Sequence, residues 1–176
     1  MRIIGGKNQR KQIFAPVKLP VRPTTDMAKE ALFNILNNHF DYEEITVLDL
    51  FAGTGNISYE FASRGAREVI SVDENRMCAN FIKKTAEDLN LPNIKVIKTD
   101  VFHFLGFNTS QFDIVFADPP YDATRYEEII ETVFQNHFIT PEGWMILEHS
   151  SKHNFNANEH FFDLRRYGKV HFSFFK

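Results

Sequence analysis

Short apolar runs alternate with amphipathic stretches over most of the chain, and this alternation restricts the possible fold more than any other feature. "ITVLDLF" (45–51), "EVISVD" (68–73), "IKVIKTD" (94–100), "FDIVFAD" (112–118) and "GWMILEH" (143–149) have strand length and strand composition. The first is almost continuously apolar, as a strand covered on both faces must be. Between and before these runs, "RPTTDMAKEALFNILNNHF", "ISYEFASRGA", "RMCANFIKKTAEDLNL" and "YEEIIETVFQNHF" read as helices. In the first, Thr24, Thr25 and Asp26 offer caps, and Ala28, Leu32, Ile35, Leu36 and Phe40 share one face. Strands alternating with helices imply an α/β fold with a doubly wound, mostly parallel sheet. Two further β-rich pieces flank Tyr167-Gly168 and predict an antiparallel C-terminal hairpin at the sheet edge.

The 176 residues fit one domain, and no internal repeat or low-complexity tract divides them. A lone cysteine, Cys78, excludes an internal disulfide and reads as helix packing, not as a nucleophile. The N-terminus lacks a signal-peptide pattern and no stretch has the length of a membrane span, so a cytoplasmic protein is expected, with no membrane partner. His149, His153 and His160 lack the partners of a zinc set, so no metal is expected. Charge is unevenly distributed. Residues 1–25 carry Arg2, Lys7, Arg10, Lys11, Lys18 and Arg22 without one acid, a formal +6. The rest carries fourteen basic against twenty-three acidic side chains, a formal −9. An acidic body (26–176) with a basic arm (1–25) suggests that the arm, through Arg2, Lys7, Arg10 and Lys11, meets a polyanion such as a nucleic acid, the plain alternative being a solvated terminus.

The chemistry sits at strand ends. In an open parallel sheet, ligands bind beyond the carboxyl ends of the strands. Asp49 lies near the end of the first strand before "FAGTG", where Gly53 and Gly55 permit a tight turn, and Asp73, Asp100 and Asp118 end the next three. Taken singly, each acid has an ordinary explanation as a helix cap. Four on one edge disfavour a pyrophosphate and suit a cationic sulfonium, so S-adenosylmethionine fits better than a dinucleotide. Asp73 stands where an acid takes the two hydroxyls of a ribose. After Asp118 come Pro119, Pro120 and Tyr121. The lone pair of an exocyclic base amine is delocalised, and acceptors aimed at its hydrogens let it localise for methyl transfer. Asp118 and the Pro119 carbonyl can be those acceptors, with Tyr121 stacking on the base. On this reading no general base with a shifted pKa is required.

The ordered set "VLDLFAGTGNISYEFASRGA", "SVDEN", "KTD" and "FADPPYD" resembles S-adenosylmethionine-dependent methyltransferases acting on exocyclic amines. With "MRIIGGKNQRKQI" and "RPTTDMAKEALFNIL", it resembles the bacterial 16S ribosomal RNA guanine-N2 methyltransferases of the RsmD type, from Met1 to about Ser150. The resemblance implies a Rossmann-like class I methyltransferase fold with a seven-stranded sheet. It implies cofactor contacts by Asp49, Phe51, Gly53, Gly55, Asp73, Asp100 and Val101, and a catalytic tetrapeptide Asp118, Pro119, Pro120 and Tyr121. Arg22 and Thr24, in "RPT", would help hold the RNA. The implied partner is 16S ribosomal RNA within a small-subunit particle, and a monomer is expected. The Phe-rich tail is shorter than the family's, and Asn56 stands where small residues are common. A similar tetrapeptide serves adenine-N6 methylation of DNA or RNA, and a non-catalytic RNA-binding assembly factor is the alternative outside enzymes.

Overall fold

The computed structural model describes residues 1–16, 19, 25–120 and 125–176. Among the described residues, five helices, α1 (Asp26–Leu36), α2 (Asn56–Ser63), α3 (Arg76–Asp88), α4 (Val101–Phe107) and α5 (Tyr126–Gln135), flank seven strands. These are β1 (Thr46–Leu50), β2 (Glu68–Asp73), β3 (Ile94–Lys98), β4 (Phe112–Ala117), β5 (Ile139–His149), β6 (Phe161–Tyr167) and β7 (Val170–Phe175). They form one sheet in the order β3-β2-β1-β4-β5-β7-β6. The five strands from β3 to β5 pair in parallel, whereas β7 runs antiparallel to both its neighbours, β5 and β6. The expected C-terminal hairpin is present, with its second arm inserted between β5 and the edge strand β6.

Alternating side chains supply a core on each face of the sheet. Val47, Ile114, Phe116, Ile146, Phe172 and Phe174 pack with α1, α2 and α3, through residues such as Leu32, Phe33, Phe61 and Ile82. Leu48, Leu50, Val115, Ala117, Met145 and Leu147 face α4 and α5, through Phe104, Leu105, Ile129 and Val133. Both faces are covered, which explains why the strand segments carry so few polar residues. Helix α1 starts where the cap residues predict: the Thr25 hydroxyl accepts from the Ala28 N–H at 3.3 Å. Two elements have no counterpart in the sequence reading, α4 and a 3₁₀ turn at Tyr42–Glu44. No helix among the described residues is long and apolar enough to cross a membrane.

The first thirteen residues pack on the body. Ile3 and Ile13 are buried in the α1–α3 core, and Arg2 and Gln12 form an antiparallel bridge. This loop crosses the C-terminal half of α2. The Glu60 carboxylate accepts the Ile4 and Gly5 N–H groups at 2.8 Å each, and the Ser63 carbonyl accepts from the Lys7 N–H at 2.8 Å. Helical carbonyls left without intrahelical partners are met in this way by an incoming segment.

Candidate active site

Strand order reverses between β1 and β4, the place in a doubly wound sheet where adjacent loops diverge and leave a crevice. The turn after β1 is built for close backbone approach. Phe51 takes a positive φ of 60°, a conformation rare for a residue with a side chain, and Gly53 and Gly55 follow at 55° and 75°. Strain of this kind clusters at functional sites. The turn is held by the Ala52 N–H on the Val72 carbonyl (3.0 Å) and the Gly55 N–H on the Ala52 carbonyl (2.7 Å). From the neighbouring strand, the Asp73 carboxylate accepts the Gly53 N–H through Oδ2 and the Asn75 N–H through Oδ1, both at 2.8 Å. Each carboxylate oxygen keeps a second lone pair for a ligand.

Asp49 and Glu148 occupy equivalent faces of β1 and β5, two residues beyond Val47 and Ile146 of the α1–α3 core. Asp49 is buried and accepts a hydrogen bond from the Ser58 hydroxyl, which also meets the Ser71 hydroxyl at 2.7 Å. Burial pushes the Asp49 carboxyl up to about 7, with Asp73 adding to the rise and Ser58 opposing it. Asp118 directly follows β4, and its N–H reaches the Leu50 carbonyl at 3.4 Å, extending the β1–β4 ladder into the crevice. Asp118 retains some exposed surface. Its carboxyl is nonetheless held well above the ordinary carboxylate range, by burial first, then by Glu148 and by Asp49. Beyond it, the Pro120 carbonyl accepts from the Tyr126 hydroxyl at 3.4 Å, so α5 braces the proline pair.

Glu148 is the residue the sequence reading passed over. It is buried at the end of "GWMIL", the same signal of an acid closing an apolar strand that singled out Asp118. A raised-pKa acid is likewise present in the crevice, although the sequence argument asked for none. Asp100 is an exposed cap of α4, its Oδ1 accepting from the His103 N–H at 2.9 Å, and Val101 is the buried first residue of that helix. Of the basic arm, Arg2 pairs with Asp26 at 3.0 Å, the Lys7 ammonium donates to the Asn90 carbonyl at 3.1 Å, and Arg10 and Lys11 are exposed. Tyr121, Arg22 and Thr24 lie outside the described residues. Cys78 is buried in α3, and burial, with a contribution from Asp73, pushes its thiol up to about 11, which leaves it a poor nucleophile at neutral pH. A separate cavity of about 500 Å³ opens toward the amino end of β4, lined by Asp113, Gly143, Trp144, Phe162 and Lys176 among others, and none of the four strand-end aspartates lines it.

A seven-stranded sheet in this order, with acids at the carboxyl ends of β1, β2 and β4 and a glycine turn after β1, defines a class I methyltransferase fold. The yhhF protein of Escherichia coli superposes with a TM-score of 0.86 at 28% identity, covering 99% of this chain and 96% of that one. The Thermus thermophilus 16S rRNA N2 G1207 methyltransferase, solved with AdoMet and guanosine, shares the fold at a TM-score of 0.71 and 22% identity, over 87% of this chain and 43% of that one. All of residues 1–176 match the protein family described as Conserved hypothetical protein 95. Ribosomal RNA small subunit methyltransferase D of Haemophilus influenzae is 34% identical over 141 residues, covering 74% of this chain and 72% of that protein. The Escherichia coli protein of the same name is 30% identical over 148 residues, covering 84% and 74%. The chain therefore belongs to this family, the RsmD-type ribosomal RNA methyltransferases.

Proposed function

We propose that the protein transfers a methyl group from S-adenosylmethionine to the exocyclic N2 amine of a guanine in small-subunit ribosomal RNA. The observation that carries this reading is Asp118, set at the mouth of the β1–β4 crevice beside Glu148 and Asp49 and followed by a braced proline pair. The names borne by its relatives support the ribosomal RNA substrate. The residues present fit the cofactor: closely spaced buried acids repel one another in a low-dielectric crevice, and a bound cation relieves that repulsion. The Gly53–Gly55 turn and Asp73 would hold the nucleoside, Asp73 with its remaining lone pairs on the ribose hydroxyls, and Asp100 and Val101 would flank the base. When bound, S-adenosylmethionine supplies an electrophilic methyl group on a positively charged sulfur.

The protein's part is to position the amine and shape its electron pair. The Asp118 carboxylate and the Pro119 carbonyl accept the two amino hydrogens, which draws the nitrogen lone pair out of conjugation. The same carboxylate, with a proton affinity raised by burial and Glu148, then holds the proton that the alkylated nitrogen sheds. Tyr121 would stack on the base. Incubating the protein with methyl-labelled S-adenosylmethionine and unmodified small subunits, followed by digestion and mass spectrometry, tests the reading. N2-methylguanosine is the expected product, whereas N6-methyladenosine would move the acceptor to adenine.

A further inference from the structure

Helix α1 buries a lysine. Lys29 lies on the same helical face as Phe33 and Leu36 and has 1% of its side chain exposed. Its ammonium has three protons and meets three acceptors from two other parts of the chain. It donates to the Arg2 carbonyl in the N-terminal loop at 2.7 Å and to Asn56 Oδ1 at 2.8 Å, and it pairs with Glu60 Oε2 at 3.3 Å. Glu60, fully buried, is itself shared: it accepts the Ile4 and Gly5 N–H groups and pairs with Arg64 at 2.9 Å.

The position of Asn56 gives this network its meaning. Asn56 is the first residue of α2 and directly follows Gly55, the left-handed residue that ends the glycine turn. Gly55 has no side chain with which to cap α2, and an added Cβ there would meet Tyr59 and Ile82 at 2.8–2.9 Å, so the turn closes onto packed side chains with little slack. A buried charge pair is a weak source of net stability, yet removing one partner strands the other's charge, so such a pair can hold register. We propose that Lys29 is a positioning residue: by clamping Asn56 to the N-terminal loop, it holds the glycine turn in the shape that receives the cofactor. The proposal rests on the reading that this turn holds S-adenosylmethionine. Through it, the arm proposed to meet RNA and the turn proposed to meet the cofactor share one buried ammonium.

Calorimetric titration with S-adenosylhomocysteine tests this. Asn56→Ala should weaken binding about threefold to tenfold, and Asn56→Asp, which keeps an oxygen for the ammonium, should restore it. Lys29→Met should also weaken binding, and the double variant Lys29→Met/Asn56→Ala should bind no worse than Lys29→Met alone. Binding unchanged in Asn56→Ala, equal loss in Asn56→Asp, or fully additive losses would overturn the clamp. If Lys29→Met does not fold, the comparison of Asn56→Ala with Asn56→Asp decides alone. Wild-type protein that fails to bind S-adenosylhomocysteine would instead overturn the cofactor reading, so the two failures are distinguishable.

Discussion

Asp118 carries more proton affinity than a carboxylate at a strand end ordinarily has, because burial and two acidic neighbours oppose its charge. The proposed acceptor role requires the charged form, so the protonated enzyme should be the less active one. The free enzyme's kcat/KM should therefore rise with pH through an inflection above the ordinary carboxylate range. Glu148→Gln removes one like charge, lowers the proton affinity of Asp118 and should move that inflection toward lower pH; an unmoved inflection in a kcat/KM profile would detach Glu148 from the site. The four strand-end aspartates were readable from sequence, because an acid closing an apolar run is a local pattern. Their environments were not. That Asp49 faces Ser58 and that Glu148 joins Asp118 depends on which strands become neighbours, a long-range outcome absent from either segment alone.

The N-terminal loop is an element in its own right, docked on α2 by hydrogen bonds to Glu60 and Ser63. At its tightest point Gly6 adopts a φ of 74°, and a Cβ there would lie 1.9 Å from the Ser63 carbonyl oxygen. Gly6→Ala should lift the loop from α2 and cost about 1–3 kcal/mol, measured as a lower denaturant midpoint, since both the backbone conformation and the contact are lost. The strands and the amphipathic helices α1, α3 and α5 were legible because periodicity is a property of each segment by itself. Helix α4 was not: "VFHFLGF" is short, almost wholly apolar and contains a glycine, so it offers no polar face to mark its period. The docking of the arm was equally hidden, since its basic residues advertise solvent exposure while Ile3 and Ile13 fasten it to the core.

At the scale of the whole molecule, charge is segregated between a basic N-terminal arm and an acidic body, and Asp49, Asp118 and Glu148 are close enough to oppose one another's charge in the crevice. Replacing Lys7, Arg10 and Lys11 with neutral residues should weaken binding to small-subunit RNA and reduce the slope of log affinity against log salt by about 2. An unchanged slope, measured by filter binding across a salt series, would remove the arm from the interface. The segregation was visible in composition, whereas the insertion of β7 between β5 and β6, which completes the sheet, was not, because a hairpin specifies its own pairing and not its place in a larger sheet. Asp118 is proposed to carry the transfer step by accepting from the amine, a role separate from holding the RNA or S-adenosylhomocysteine, whose neutral sulfur has no charge for the carboxylate to meet. The most direct test is single-turnover methyl transfer by Asp118→Asn, with S-adenosylhomocysteine and RNA affinities measured on the same preparation. The expected result is a rate lowered by about two to three orders of magnitude with both affinities within a few fold of wild type; a rate close to wild type, or a loss explained by weakened binding, would remove Asp118 from the transfer step.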